Sequence, residues 1–236
     1  MLFRSAFEWL NFFVLENWFY PYGGKLFTPL QAIFWFSLTF TCVFPAIFEF
    51  YTLLRTFPTM KVRWAVGPVV APSVSMVWLI LLAGAVGAFC VGYFPYPLFF
   101  VVWIASLLII PEAMGVVRLW TPFTPLNTGN WSPIVLVAIA SLITGFFWEF
   151  WNHGSNLWFP GCNPNYWKYD VPYVNVIVGF TEMPILGYFG YLPFGVQCWV
   201  WWLVLAHLLG LPVDFDPSNE GLPGAEANAA ARAARA

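Results

Sequence analysis

Four glutamates lie inside or at the edges of the hydrophobic segments of this 236-residue chain: Glu49, Glu112, Glu149 and Glu182. A carboxylate at bilayer depth is costly, so it normally faces a cavity, a partner side chain or a proton pathway. Three of the four lie close to a proline, which leaves a backbone carbonyl in need of a new donor. The sequence therefore predicts a polar interior inside a bundle of membrane helices.

The densest polar cluster combines Glu149, Asn152 and His153 with Glu182, which opens the motif-like stretch 182–194. On a helix the first three share one face, because they are three and four residues apart. We expect Glu149 and Glu182 to face the bundle interior close to each other, as the catalytic acid and base. Asn152 would orient the site and His153 would relay protons.

A carboxyl group in an apolar interior suits acid catalysis, because desolvation disfavours its charged form. Such a group can protonate an alkene or an epoxide as a general acid. Aromatic faces can stabilise the resulting cation by about 0.5–2 kcal/mol per contact, and the chain has 15 Trp, 26 Phe and 10 Tyr. This composition favours an isoprenoid or another apolar lipid as substrate. The alternative is that the glutamates are structural, hydrogen-bonded to arginine, asparagine, tryptophan or backbone donors.

The two histidines leave a cofactor open. A b-type haem between His153 and His207 is one alternative, since imidazole is a good iron ligand. A di-iron bundle needs two Glu-x-x-His pairs, and the sequence has none. We therefore predict no metal site. The four cysteines form no C-x-x-C pair and are interpreted as small buried hydrophobes.

Composition identifies the class of protein that must position these groups. The chain is 61% hydrophobic and 8% charged, whereas soluble domains carry about 25% charged residues. It is therefore predicted to be an all-α, polytopic transmembrane bundle of about six spans with an N-terminal interfacial helix. The expected location is the bacterial inner membrane. A net charge of -2 without a basic run argues against a nucleic-acid partner.

The hydropathy pattern divides the chain into an interfacial segment (1–24), a helix bundle (25–212) and an acidic, then Ala-rich polar tail (213–236). The predicted spans lie at about 29–54, 69–92, 98–117, 134–151, 173–192 and 194–211. Each has close to the ~20 residues that a bilayer requires. The fifth is interrupted by Glu182, Pro184 and glycines, so a broken or re-entrant helix is the alternative for that segment.

A weak internal repeat is visible around two of the glutamates. Glu49 is followed six residues later by Arg55, and Glu112 is followed six residues later by Arg118. We expect each acid to pair with one of these cations or with an indole N–H. The spacing is also consistent with repeated helical hairpins, each with a glutamate and a proline.

Two motifs carry resemblances to known families. W-E-x-x-N at 148–152 and E-M-P-x-x-G-Y-x-G-Y-x-P-F at 182–194 resemble a family of uncharacterised bacterial integral membrane proteins. That resemblance implies a membrane protein but no activity. W-E-F at 148–150 is also similar to an element of the small membrane-bound fungal meroterpenoid cyclases. Those are compact, Trp-rich helical proteins with a second acidic residue in a later helix.

Together these patterns predict a membrane enzyme that acts on an apolar lipid or isoprenoid by intramembrane carboxylate acid–base chemistry. Two alternatives stay open. One is a non-catalytic subunit that binds pigment or haem in a larger complex with partner membrane proteins. The other is a proton-coupled transporter.

Overall fold

A computed structural model describes residues 7–177 and 179–211, and this part of the chain is mostly helical. The first described helix, α1, occupies residues 7–15 and ends in a π-helical turn, Asn11–Leu15. The other helices are α2 (Gly23–Leu26), α3 (Pro29–Phe40), α4 (Val43–Arg55), α5 (Pro58–Arg63), α6 (Val74–Val91), α7 (Pro95–Leu98), α8 (Val101–Val116), α9 (Ser132–Trp158) and α10 (Tyr191–Leu209). Two 3-10 helices lie at Thr124–Thr128 and Ile185–Gly190, and two short strands are β1 (Trp18–Phe19) and β2 (Lys168–Tyr169).

Four helical stretches in the described residues are long and apolar enough to cross a membrane: Pro29–Arg55, Val74–Val91, Ser132–Trp158 and Ile185–Leu209. Helix α8 is also apolar but has only 16 residues. The prediction of an all-α membrane protein is therefore confirmed, whereas the count of six spans is not. The predicted polar tail at 213–236 lies outside the described residues.

The predicted fifth span, 173–192, does not form a continuous helix. Its described residues before Pro184 form turns, bends and irregular backbone, and a 3-10 helix then leads directly into α10. Pro184 has extended backbone (ψ 147°) and no N–H to donate to a preceding carbonyl. Only the end of the predicted fifth span is helical, and it continues into the predicted sixth span as one apolar stretch, Ile185–Leu209.

The core centres on Trp199 of α10, which is fully buried. Its ring lies 5.0 Å from that of Tyr51 and 6.1 Å from that of Phe48, both on α4. Trp120, just after α8, approaches it from another side at 5.7 Å. Large aromatic rings of this kind dominate the energetics of packing, so they hold α4 and α10 together at the centre.

Helices α9 and α10 are antiparallel and very close. A Cβ on Gly145 would lie 2.4 Å from the ring of Tyr191, and a Cβ on Gly195 would lie 2.5 Å from the Cβ of Ser141. Small residues at such positions let helix backbones approach. Gly145 thereby makes room for Tyr191 one turn from Glu149, so this contact positions the polar cluster.

The ribbon formed by β1 and β2 joins two segments that lie far apart in the chain. The strands are antiparallel, with Trp18 opposite Tyr169 and Phe19 opposite Lys168. The Asp170 N–H extends the pairing by donating to the Asn17 carbonyl at 2.8 Å. The ribbon therefore links the segment after α1 to the segment after α9.

Candidate functional site

Glu149 lies at the centre of a hydrogen-bonded aromatic cluster. Its side chain is 0% exposed, and its Oε1 accepts hydrogen bonds from the hydroxyls of Tyr169, at 2.6 Å, and Tyr191, at 2.7 Å. Tyr169 belongs to β2 and Tyr191 begins α10. One carboxylate oxygen therefore ties α9 to β2 and to α10.

The second oxygen of Glu149 is different. Oε2 is buried and has no hydrogen-bond partner within residues 7–177 and 179–211. A carboxyl oxygen has two lone pairs, and both lone pairs of Oε1 face tyrosine donors. A proton on Glu149 would consequently reside on Oε2, the atom that is free to deliver it.

Trp167 and Tyr169 extend the cluster along β2. The indole Nε1–H of Trp167 donates to the Tyr169 hydroxyl oxygen at 2.7 Å, which leaves the Tyr169 hydrogen directed at Glu149. Burial first, and then the neighbouring negative charge of Glu149, raise the pKa of Tyr169 well above its ordinary value. Tyr169 thus remains a hydrogen-bond donor throughout the range in which proteins function.

Asn152 positions this strand rather than the carboxylate itself. Its Nδ2 donates to the Trp167 carbonyl at 2.9 Å, and its Oδ1 accepts from the Trp167 N–H at 3.1 Å. A neighbouring strand would offer the same donor and acceptor, so the amide takes the place of a strand partner for the residue just before β2. Asn152, which was predicted to orient the site, therefore orients the backbone of Trp167.

His153 and Glu182 form a second group at the outer side of the site. His153 Nδ1 lies 3.3 Å from Glu182 Oε1, and the two side chains are 36% and 21% exposed. Burial, followed by the Glu182 carboxylate, raises the pKa of the Tyr166 phenol. The four residues singled out from the sequence therefore lie in one region, with only Glu149 in direct contact with the two tyrosines.

A haem between the two histidines does not fit the helix packing. Gly145 of α9 lies against Tyr191 of α10, and the two helices run antiparallel. His153 is eight residues after Gly145, and His207 is sixteen residues after Tyr191. Because the helices are antiparallel, these two steps lead in opposite directions along the bundle. At about 1.5 Å per residue the two rings are roughly 36 Å apart along the bundle. His207 instead places Nδ1 2.7 Å from the Leu203 carbonyl. No group of three or more potential metal ligands occurs among the described residues.

The other two membrane glutamates stand apart from this cluster. Glu49 is exposed on α4, and Glu112 is partly exposed on α8. In the described part of the chain, neither is ion-paired with Arg55 or Arg118. The expected pairing with Arg55 or Arg118 is therefore wrong for both acids: Glu49 is exposed and Glu112 is partly exposed.

Sequence reasoning missed Trp167 and Tyr191 as parts of the site. Tyr191 lies 42 residues after Glu149, which accepts its hydrogen bond, and Trp167 and Tyr169 lie about 20 residues after Glu149. The signal in the sequence was the W-x-Y motif of Trp167 and Tyr169, which follows the E-x-x-N motif. That signal can be interpreted only once the ribbon is known.

An apolar cavity of about 360 Å³ lies elsewhere in the bundle. Side chains from α1, α6, α8 and α10 line it, among them Leu10, Val91, Ile109 and Trp201. Ser106 contributes the one aliphatic hydroxyl of its wall, and Glu149 does not line it. The cavity has the chemistry to hold an apolar chain but no acid of its own.

Comparisons of the chain with protein-family models, with curated proteins and with solved structures found no match in any of the three.

Proposed function

We propose that this protein is an integral membrane enzyme that acts on an apolar lipid or isoprenoid by carboxylate acid–base chemistry. The observation that carries the proposal is the asymmetry of Glu149. One oxygen accepts from two tyrosines, and the other is buried without a partner in the described residues. An acid held in this way presents its proton at a fixed atom, as general acid catalysis requires.

The reaction is an isomerisation or cyclisation started by proton transfer. The Oε2 proton of Glu149 passes to an alkene carbon, whose π pair forms the new C–H bond and leaves a carbocation. An internal alkene can attack this cation to close a ring. A carboxylate base then takes a proton from the adjacent carbon, and that C–H pair becomes the new double bond. Substrate and product have the same atoms, so no co-reactant is needed.

The surroundings of Glu149 support a cationic intermediate. The Tyr191 ring lies 6.3 Å from those of Trp148 and Tyr188, and Tyr188 stacks on Phe180 at 6.4 Å. Aromatic faces attract a cation without supplying a nucleophile that would trap it. His153 and Glu182, more exposed than Glu149, would exchange protons between the site and water.

The four apolar helical stretches indicate that the enzyme lies in a lipid bilayer. We assign it to the bacterial inner membrane on the resemblance of its two C-terminal motifs to bacterial membrane proteins. An apolar substrate dissolved in that bilayer would reach the site between helices.

The test is deuterium incorporation by the purified protein in lipid nanodiscs. Linear isoprenoid alkenes are incubated in D₂O, and the products are analysed by mass spectrometry. The wild type should yield an isomer that carries one deuterium. Glu149→Gln should lower this product by about 10²–10⁴-fold, whereas Glu112→Gln, at a partly exposed acid of another helix, should leave it unchanged.

Retention of full turnover by folded Glu149→Gln protein would refute the proposal. If the same variant instead stopped co-purifying with neighbouring membrane proteins, the pigment- or haem-binding subunit would replace the enzyme. Loss of proton-driven uptake into vesicles in that variant would identify a transporter.

A further inference from the structure

The arrangement around Glu149 occurs a second time near the start of the chain. Glu8 and Asn11 repeat the E-x-x-N spacing of Glu149 and Asn152. The W-x-Y motif also recurs, as Trp18-x-Tyr20 and as Trp167-x-Tyr169. In both places the E-x-x-N motif lies on a helix and the W-x-Y motif lies in the strand segment that follows it.

The contacts repeat as closely as the spacing. Asn11 Nδ2 donates to the Trp18 carbonyl at 2.7 Å, and its Oδ1 accepts from the Trp18 N–H at 3.0 Å. These are the two bonds that Asn152 makes to Trp167. The Tyr20 hydroxyl donates to Glu8 Oε1 at 2.7 Å, as Tyr169 donates to Glu149 at 2.6 Å.

The correspondence continues into the next long helix. Pro45-x-x-x-Glu49 begins 27 residues after Trp18, and Pro193-x-x-x-Gln197 begins 26 residues after Trp167. The chain therefore contains two copies of one unit, E-x-x-N, W-x-Y and P-x-x-x-E/Q, rather than the repeated Glu–Pro hairpins expected from Glu49 and Glu112.

Contacts between counterpart residues show how the two units are related. Phe19 and Lys168, the central residues of the two W-x-Y motifs, pair with each other in the ribbon. Tyr51 and Trp199, each six residues after its proline, are in ring contact at 5.0 Å. A residue meets its own counterpart only on a two-fold axis. A pseudo-two-fold axis thus passes through the ribbon and between α4 and α10.

This symmetry places both acids beneath the same face of the ribbon. Residues directly opposite in an antiparallel pair point to the same side, so Trp18 and Tyr169 share a face. Their side chains hydrogen-bond to Glu8 and Glu149, respectively. The alternate residues, Phe19 and Lys168, are exposed on the other face.

We propose that Glu8 is a second catalytic carboxylate, the base that removes the proton from the carbocation formed by Glu149. This inference rests on the proposed function. Glu8 is half-buried, and its oxygens accept from Tyr20 and from the Trp18 indole, which lies 3.4 and 3.2 Å from Oε1 and Oε2. Both oxygens of Glu8 thus accept hydrogen bonds, whereas Oε2 of Glu149 accepts none from the described residues.

The proton balance closes over one turnover. Glu149 gives its proton to the substrate, and Glu8 takes one from the carbon next to the cation, which restores a double bond. Glu8 then releases its proton to water and Glu149 takes one up from water. The substrate of this cycle would be an apolar alkene that reaches both acids.

The kinetic test compares Glu8→Gln with Glu16→Gln, an exposed acid just after the same helix. Without the base the cation should be captured by water, which adds and loses a proton to give an alcohol. We expect folded Glu8→Gln protein to lose its alkene product by at least about 100-fold and to gain an alcohol, while Glu16→Gln matches the wild type. If Glu8→Gln does not fold, Tyr20→Phe takes its place, and an unchanged ratio of alkene to alcohol would overturn the inference.

The outcomes separate the two proposals. If Glu149→Gln abolishes the product while Glu8→Gln behaves like Glu16→Gln, the role of Glu8 is refuted and the proposed function stands. If Glu149→Gln retains turnover, both proposals are refuted.

The pairing of the two strands can be tested separately. Phe19→Cys combined with Lys168→Cys should form a disulfide on oxidation, since paired Cα atoms lie about 5.5 Å apart. Absence of that disulfide would overturn the paired-ribbon arrangement and the inference with it.

Discussion

The Tyr169 hydroxyl lies 2.6 Å from Glu149 Oε1, and this bond fastens strand β2 to helix α9. The same hydroxyl accepts a hydrogen bond from the Trp167 indole, so the Tyr169 phenol links the buried Glu149 carboxyl to Trp167. The position of the Glu149 carboxyl therefore depends on the ribbon as well as on its own helix.

Replacing Tyr169 with Phe should destabilise the protein by about 1–3 kcal/mol, because the Trp167 indole loses its acceptor and Glu149 loses one of two donors. A lower melting temperature in nanodiscs would show this. Tyr173→Phe is the matched control, since Tyr173 is 62% exposed. Equal melting temperatures for the two variants would contradict the structural role of the bond.

Asn152→Ala should release the backbone of Trp167, just before β2. Both hydrogen bonds to the Trp167 backbone are lost, and a buried amide N–H is left without its acceptor. Hydrogen–deuterium exchange at the Trp167 amide should become faster, with slow exchange retained in Asn127→Ala, whose side chain is exposed. Unaltered protection of Trp167 in Asn152→Ala protein would show that the strand is held by other contacts.

Gly145→Ala should force α9 and α10 apart. The new methyl would lie 2.4 Å from the Tyr191 ring, and overpacking of this kind costs about 1–3 kcal/mol. Gly154→Ala on the same helix has no atom within 4 Å of the new Cβ, and alanine is the better helix former there. Thermal unfolding should therefore shift in opposite directions for the two variants. A stable Gly145→Ala protein would argue against the close packing of these helices.

Alkaline pH should weaken the fold through Tyr169. Its folded-state pKa is raised, so the folded protein holds the phenolic proton more tightly than the unfolded chain, where tyrosine has a pKa of about 10. The stabilisation is fully present below about pH 10 and is lost as the pH rises through the folded pKa. Melting temperatures measured across this range should fall less steeply in Tyr169→Phe than in Tyr173→Phe. Parallel slopes would contradict the assignment.

The sequence by itself determined the class of protein and one face of one helix. A chain with so few charges cannot make a soluble surface of ordinary composition, so apolar helical stretches in a membrane follow directly. Glu149, Asn152 and His153 share a face because an α-helix repeats every 3.6 residues. These properties depend on neighbours within a few positions along the chain.

Only the tertiary structure decided what those residues meet. Tyr191 reaches Glu149 because Gly145 lets α10 approach, and Tyr169 reaches it because Asn152 holds β2. Glu8 lies beneath the same ribbon face as Glu149 only because two distant strands pair. Helical periodicity carries no information about such partners, since each contact depends on packing between segments far apart in the chain. The four membrane glutamates therefore looked alike in sequence, and packing alone distinguishes the buried Glu149 from the exposed Glu49.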